Sequence, residues 1–166
     1  ARHTLSALIG FGVIPIINEN DTVAVDEIRV GDNDTLAAEV AHLVDAELLI
    51  ILSDIDGLFT EDPRKNPAAT LIPLIPDITE EIEQRAGVSS TFEGTGGMAT
   101  KVRAAKKVSE YGVATLILNG QEAGLLPRVL AGGSGGSLFL AKERRFTSRK
   151  HWIAFTLRPR GTLTLD

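Results

Sequence analysis

Continuous runs of apolar residues constrain the fold of this chain more than any other feature of its sequence. Residues 48–52 are all leucine or isoleucine, and residues 114–118 are apolar apart from one threonine. Strands with so little alternation between apolar and polar side chains are typical of sheets that are covered on both faces. Between the two runs, residues 98–111 place their apolar side chains on one face of a helix. This alternation predicts an α/β fold with a mainly parallel sheet.

Weaker patterns predict the remaining elements. The β-branched run at residues 13–17 predicts a buried strand, with Pro15 at its start or edge. Helices are predicted for residues 4–9, 36–44 and 78–85, and a closing strand is predicted for residues 138–140.

The character of the sequence changes near its C-terminal end. Residues 1–142 form the predicted α/β domain, whereas residues 143–150 are charged, lack apolar periodicity and are interpreted as a linker. Residues 151–166 have the pattern of a β-hairpin, which is too small to be a domain. We therefore expect a second, all-β domain to begin there and to be cut off.

Composition excludes several kinds of function. The 166 residues contain no cysteine, which excludes a disulfide scaffold, a thiolate nucleophile and a Cys-ligated zinc site. The net charge of −5 argues against a general nucleic-acid binder. The three histidines are scattered, so no metal site or catalytic triad is predicted. The absence of cysteine also fits a cytoplasmic protein. No apolar run approaches the length of a membrane span.

A glycine-rich segment, Gly94-Thr95-Gly96-Gly97-Met98-Ala99-Thr100-Lys101, precedes and opens the predicted helix at 98–111. Glycines allow a backbone to fold closely around phosphate oxygens, and the first N–H groups of a helix can bind an anion. Lys101 would add a positive charge. The segment is not a Walker A loop. That motif ends in Gly-Lys followed by Ser or Thr, whereas here Thr100 precedes Lys101 and Val102 follows it. A flexible loop before an N-capped helix is an equally good interpretation of the segment alone.

Two polar clusters suit an amino-acid ligand. The first, Asn18 to Asp21, directly follows the predicted strand at 13–17, and the second is Gly31 to Thr35. Asn can donate to a carboxylate, and a carboxylate can accept from an ammonium group. For either cluster alone, turn and helix-capping roles are favoured, with Asp34 or Thr35 as the cap. Ser53 and Asp54, at the end of the run 48–52, either contact a nucleotide or satisfy loop amides.

Together these segments resemble the amino acid kinase superfamily, and within it the glutamate 5-kinases most closely. The elements shared across the superfamily are Ser53 to Thr60 and Asp62-Pro63-Arg64, whereas Asn18-Glu19-Asn20-Asp21 and Gly31-Asp32-Asn33-Asp34 are specific to the glutamate enzymes. The resemblance extends over nearly the whole chain, including the segment 149–153 at the start of what resembles a PUA domain.

The resemblance implies a three-layer αβα sandwich in which ATP and L-glutamate meet at the C-terminal edge of the sheet. It implies that Lys101 and Asp34 are catalytic, Lys101 by stabilising the transferring phosphoryl group and Asp34 by orienting the catalytic lysines. It assigns glutamate binding to Asn18, Asp21 and Asn33, and nucleotide binding to Ser53, Asp54, Thr95, Gly96, Gly97, Met98, Ala99, Thr100 and Lys101.

The resemblance also implies Mg²⁺ bound through the ATP phosphates, feedback inhibition by proline, a homo-oligomer that is tetrameric in the family, and L-glutamyl 5-phosphate as product. The family's N-terminal Gly-Lys phosphate segment and its serine contact to glutamate have no counterpart in the chain, so we expect it to be inactive on its own. One alternative is a related kinase acting on acetylglutamate, aspartate or UMP. The other is a non-catalytic RNA-binding fragment, and the truncated hairpin and the acidic net charge argue against it.

Overall fold

The computed structural model describes residues 2–18, 33–87 and 97–142. None of the helices in these three segments is both long enough and apolar enough to cross a membrane. The helices are α1 (Arg2–Gly10), α2 (Asn33–Leu43), α3 (Glu80–Arg85), α4 (Met98–Ser109) and α5 (Leu125–Leu130), and the strands are β1 (Leu48–Ser53), β2 (Leu74–Ile75), β3 (Ala114–Asn119) and β4 (Ser137–Phe139).

The strands form one mixed sheet in the order β1-β3-β4-β2. β1 is parallel to β3, β2 is parallel to β4, and β3 and β4 are antiparallel. In the parallel pair, Ser53 at the end of β1 lies opposite Asn119 at the end of β3. The polar residues that follow both strands therefore start from the same edge of the sheet, which is where open α/β sheets bind their ligands.

Helices cover both faces of this sheet. Ile117 of β3 belongs to a buried cluster with Val102 and Ala105 of α4, on the face that α2 also covers. Leu116 and Leu118 point to the opposite face, where they pack with Leu125 of α5. The side chains of a strand alternate between its two faces, and here both sets are buried. This arrangement confirms the layered α/β architecture.

α4 is the most completely buried helix in the described part of the chain. Val102, Ala105 and Val108 are each 0% exposed, which confirms the face predicted from their spacing. The helix begins at Met98 as predicted and ends at Ser109, two residues before the predicted end. Gly112 then has a positive φ of 77°, a conformation that glycine adopts without strain.

Except for the strand predicted at residues 13–17, the helices and strands predicted within the described residues are confirmed, with small shifts in their ends. α2 begins at Asn33, three residues before the predicted start, so Asp34 lies in the first helical turn and not before the helix. α3 begins at Glu80. The preceding residue, Thr79, is its N-cap, and Thr79 Oγ1 accepts a hydrogen bond from the backbone N–H of Ile82. β1, β3, β4 and α1 all overlap the segments predicted for them.

The prediction of a buried strand at residues 13–17 is wrong. The described structure has neither strand nor helix there, and Ile14 and Ile16 are 86% and 97% exposed. A β-branched run becomes a strand only when a neighbouring strand accepts its backbone hydrogen bonds, and Pro15 lacks an N–H group for such a ladder. Among the described strands, β1 pairs only with β3, so residues 13–17 lie beside the sheet without joining it.

The prediction that β1 is buried on both faces is also wrong. Leu49 and Ile51 are buried against the helices, but Leu48 and Leu52 on the other face are 37% and 55% exposed. Ile50, between them on that face, packs against the cluster that Leu125 of α5 forms with β3, so the cover does not reach the two ends of the apolar run. The apolar run correctly predicted a strand but not how much of it is covered.

Two short elements were not predicted. α5 contains Pro127, a residue that usually interrupts helices. Here it lies in the first turn, where its missing N–H costs no helical hydrogen bond. β2 has only two residues and lies between Pro73 and Pro76.

The predicted linker at 143–150 and hairpin at 151–166 lie outside the described residues.

Ser137 of β4 holds the loop that follows β1. Its side chain is fully buried, its hydroxyl donates to the carbonyl of Ile72 at 2.7 Å, and it accepts the N–H of Leu58 at 2.9 Å. A Cβ atom placed on Gly57 would lie 2.4 Å from Ser137 Oγ, so the loop can approach β4 this closely only because residue 57 is glycine. A single hydroxyl therefore joins the loop after β1 to both β4 and the segment before β2.

We expect Ser137→Ala to destabilise the protein by about 1–3 kcal/mol, because it leaves the buried N–H of Leu58 without its acceptor. Urea unfolding of the full-length protein measures the change in the free energy of unfolding. Ser6→Ala is the matched control, since Ser6 lies exposed on α1 and should shift stability by less than about 0.5 kcal/mol. Equal stabilities of the two variants would show that the Ser137 hydroxyl contributes nothing.

His42 makes stability depend on pH. It lies in the last turn of α2 and stacks on Tyr111, with ring centroids 3.7 Å apart. Burial, together with the nearby positive charge of Arg2, lowers the pKa of His42 below its ordinary value of 6.5. The folded state therefore binds this proton less readily than the unfolded state does. Its stabilising contribution is complete above pH 6.5 and declines as the pH falls through that value.

We expect His42→Phe, which keeps an aromatic ring against Tyr111, to lose less stability than the wild type when the pH falls from about 7.5 to about 5. Thermal unfolding across this range gives the comparison. His3→Gln, on the exposed face of α1, is the control and should follow the wild-type profile. An unchanged pH profile for His42→Phe would refute the assignment.

Candidate active site

A cleft of about 530 Å³ opens at the carboxyl end of β1. We call it the strand-end cleft. The end of β1, the loop after it, the C-terminal end of α3 and the first turn of α4 form its walls. Five of the residues that the sequence nominated line it together: Ser53, Asp54, Gly97, Met98 and Lys101.

The first turn of α4 faces this cleft through Gly97 and Met98. Gly97 is the N-cap residue and has a φ of 86°, which a residue with a side chain rarely adopts. Since glycine has no side chain, it cannot cap the first N–H groups of the helix itself. Those groups and the positive end of the helix dipole suit an anionic ligand.

Lys101 is held by Asp34 across the packed pair of helices α2 and α4. Lys101 Nζ lies 3.0 Å from Asp34 Oδ2, and the two side chains are only 15% and 16% exposed. Thr100 Oγ1 donates to the same carboxylate oxygen at 2.7 Å. Asp34 therefore binds two consecutive residues of α4, and the ammonium group of Lys101 is fixed at the wall of the cleft. The family resemblance assigns Asp34 the role of orienting the catalytic lysines, and the catalytic roles of both residues stay predictions.

A second cleft, of about 410 Å³, lies between α2, β1 and residues 15–18. We call it the α2–β1 cleft. Asn18 and Asn33 line it, beside apolar side chains of α2 and β1. The structure thus brings together two of the three residues nominated for the amino-acid ligand. One of them, Asn33, directly precedes Asp34 in the first turn of α2.

The remaining nominated residues divide into two groups. Ala99 and Thr100 are 6% and 4% exposed, so their side chains face the protein and not the open space of the cleft. Asp21, Thr95 and Gly96 lie outside the described residues, and their assignments remain predictions.

Sequence reasoning missed several residues of the strand-end cleft. Arg64, Lys65 and Arg85 line it and add positive charge. Arg85 also donates to the carbonyl of Thr60 at 2.6 Å, which ties the C-terminal end of α3 to the loop after β1. The available signal was the basic pair Arg64-Lys65 directly after Pro63, of which only Arg64 entered the family resemblance and neither was assigned to a site.

Asn119 is another residue that was missed. Its side-chain amide donates to Asp56 Oδ1 at 2.8 Å, and its side-chain oxygen accepts the N–H of Gln121. It therefore joins the end of β3 to the turn that follows β1. The sequence places an Asn-Gly pair directly after a buried strand, but only the register of β1 and β3 shows that it reaches Asp56.

The sequence model of the amino acid kinase family matches residues 1–119. The chain belongs to the amino acid kinase family. Over all 166 residues it is 55% identical to proteins named glutamate 5-kinase from Geobacter sulfurreducens and Geobacter metallireducens, and 49% identical to one from Moorella thermoacetica. The match covers 44% of each of these relatives, so the chain spans less than half of their length.

Solved structures of other kinases share the fold of this amino acid kinase family member. The UMP kinase of Bacillus anthracis aligns with 86% of the chain and 52% of its own length, with a TM-score of 0.60 and 16% identity. An isopentenyl phosphate kinase in complex with its substrate aligns with 84% of the chain and 53% of its own length, with a TM-score of 0.56 and 19% identity. At these identities the likeness establishes the fold alone.

Proposed function

We propose that the full-length protein to which this chain belongs is a glutamate 5-kinase. It transfers the γ-phosphoryl group of ATP to the side-chain carboxylate of L-glutamate and so makes L-glutamyl 5-phosphate, the first step of proline biosynthesis. The observation that carries the proposal is a lysine held by an aspartate at the wall of a cleft suited to a nucleotide, while asparagines line a second cleft. The identity of about half of all residues with relatives of that name supports it.

In this proposal ATP occupies the strand-end cleft. Ser53 and Asp54 contact the nucleotide at the end of β1, and the phosphates lie against the N-terminus of α4. Lys101 neutralises the phosphoryl group that is transferred. Thr95 and Gly96, which the family resemblance adds to this site, would extend the phosphate-binding backbone.

L-Glutamate occupies the α2–β1 cleft in the same proposal. The side-chain amides of Asn18 and Asn33 can donate to its carboxylates, and Asp21 can accept from its ammonium group. The proposal requires glutamate bound at Asn33 to reach the Lys101 ammonium group, which Asp34, the neighbour of Asn33 in the sequence, holds.

The chemistry requires charge neutralisation more than proton transfer. A carboxylate oxygen of glutamate attacks the γ-phosphorus, a new P–O bond forms, the bond to the β–γ bridging oxygen breaks, and ADP leaves with the electron pair. The nucleophile is already ionised at neutral pH, so no general base is needed. Catalysis then depends on position and on positive charge, which Lys101 and the N–H groups of α4 supply.

The donors of the strand-end cleft fit Mg²⁺ only as an ion that arrives with the phosphates. The described residues contain no group of three His, Cys, Asp or Glu side chains placed to hold a metal ion. Mg²⁺ needs few protein ligands when phosphate oxygens complete its octahedral shell, and Asp54 is the carboxylate nearest the end of β1. When bound, the ion would neutralise phosphate charge.

The rest of the assignment relies on the family resemblance. We propose that the protein is cytoplasmic, forms a homo-oligomer and is inhibited by proline. In the same proposal, residues 1–142 belong to the kinase domain, 143–150 form a linker, and 151–166 begin a PUA-like domain that does not bind RNA.

Glutamate-dependent release of ADP by the full-length protein tests the proposed function. Acetylglutamate, aspartate and UMP serve as competing acceptors, because related kinases use acceptors of these kinds. We expect turnover with glutamate to exceed turnover with each of the other three by at least about 100-fold, which corresponds to loss of one or two well-placed polar contacts. Preference for another acceptor would identify a different member of the family.

We expect Lys101→Met to lower kcat by about 100-fold or more while the KM for glutamate changes only a few-fold. The reason is that the lysine contacts charge that develops during transfer. Lys106→Met is the matched control, because Lys106 lies on the same helix but pairs with Glu83, away from the cleft. A kcat of Lys101→Met within a few-fold of the wild type would make the lysine structural.

We expect Asn33→Ala and Asn18→Ala to weaken glutamate binding by about 1.5–3 kcal/mol and to leave ATP binding nearly unchanged. Each substitution removes a hydrogen bond to a charged group of the amino acid. Isothermal titration with each ligand separately measures the two affinities. Equal losses of both affinities would point instead to a disturbed helix start at α2.

A further inference from the structure

Thr100 makes a contact that its position on α4 does not by itself require. Its side chain is buried, and its hydroxyl lies 2.7 Å from Asp34 Oδ2, the same oxygen that Lys101 Nζ approaches at 3.0 Å. The carbonyl oxygen of Gly97 lies 2.9 Å from the hydroxyl and offers the usual partner for a threonine within a helix. A hydroxyl has one proton to donate, and the carboxylate is the stronger acceptor of the two.

The hydroxyl of Thr100 determines where the Asp34 carboxylate lies. A threonine side chain rotates only about χ1, and that rotation is further restricted in a buried helical position. The lysine chain, in contrast, has four rotatable bonds and can follow its partner. The rigid contact between α2 and α4 is therefore the one from Thr100, and the position of the Lys101 ammonium group depends on it.

The same contact keeps part of the lysine available for a ligand. An ammonium group has three donors, and among the described residues Asp34 is the acceptor that Lys101 contacts, through one oxygen. Because Thr100 also donates to Asp34 Oδ2, the carboxylate is fixed in an orientation in which this oxygen is shared between the two residues. The other donors of Lys101 can then face the strand-end cleft, which the lysine lines.

We propose that Thr100 is a positioning residue: its hydroxyl fixes Asp34 and, through Asp34, directs the Lys101 ammonium group at the transferring phosphoryl group. The inference rests on the proposed function, since it names a role in that same site. It assigns the Thr100 hydroxyl to the protein and not to the nucleotide. Loss of the hydroxyl should reduce the rate of transfer more than the binding of ATP.

Three variants of the full-length protein test this role. Thr100→Val removes the hydroxyl at nearly constant volume, and we expect it to lower kcat by about 10- to 100-fold with the KM for ATP changed less than about threefold. Thr100→Ser keeps the hydroxyl and should retain kcat within about threefold of the wild type. In an Asp34→Ala background, Thr100→Val should have little further effect, because the group that it positions has been removed.

The outcomes separate this inference from the proposed function. If the wild type releases ADP with glutamate but Thr100→Val keeps its kcat, the inference is wrong and the function stands. If the wild type prefers another acceptor, the proposed function is wrong, and the same variants are compared with that acceptor. Equal losses in the valine and serine variants, or a full effect of Thr100→Val in the Asp34→Ala background, would reduce Thr100 to a packing residue.

A crystal structure of Thr100→Val gives a readout that does not depend on activity. We expect Asp34 to rotate and Lys101 Nζ to leave its position 3.0 Å from Asp34 Oδ2. Unchanged positions of both side chains in this variant would overturn the proposal, whatever acceptor the enzyme uses.

Discussion

The burial of α4 against the sheet is the constraint on which the candidate site depends. Val102, Ala105 and Val108 are fully buried, so the rotation of the helix about its axis is fixed. Burying three apolar side chains contributes several kcal/mol to stability. If the helix rotated, that contribution would be lost, and a polar contact at the helix start could not offset the loss. With Val102 facing the core, the two preceding residues must face α2 and the cleft. The side of α4 from which Lys101 projects is therefore a consequence of apolar packing, whereas its ammonium group is placed by the contact with Asp34.

The opposite wall of the strand-end cleft has a separate origin. The parallel register of β1 and β3 places Ser53 opposite Asn119, and the loop that follows β1 is then held by two side chains from other strands. Asn119 donates to Asp56, and Ser137 bonds the backbone of Leu58. Gly57 is needed because any side chain would collide with Ser137. A turn held by hydrogen bonds on both sides of Gly57 loses little conformational entropy when a ligand binds, and this favours a site built before the ligand arrives.

The sequence predicted those parts of the fold that depend on local pattern. The run 48–52 and the apolar spacing of α4 were sufficient to place β1, α4 and the layered architecture, and the polar residues at the ends of these two elements line the strand-end cleft. Asn18 and Asn33 of the α2–β1 cleft were nominated from two other polar clusters. What failed depends on partners that are distant in sequence. Residues 13–17 have the composition of a strand but no strand beside them, and the outer face of β1 lacks the cover that its composition suggests. The contact between Thr100 and Asp34 joins residues 66 positions apart, and no spacing rule predicts it.

The proposed function explains the Asp34–Lys101 pair better than stability does. Removing two charges from water costs several kcal/mol. The attraction between the charges offsets this desolvation free energy only when their geometry and the surrounding hydrogen bonds are good. Here the pair is about 15% exposed and lies at the wall of a cleft, where an apolar pair of similar size would pack at no such cost. The arrangement does hold an ammonium group still, beside a helix N-terminus that also favours negative charge. A charge positioned before the reaction needs no reorganisation when negative charge moves during transfer, and this pre-organisation is the largest contribution that a protein makes to reactions of this kind. In the proposed reaction, the free energy of desolvating the pair is then lost once, when the protein folds, and not again in each turnover.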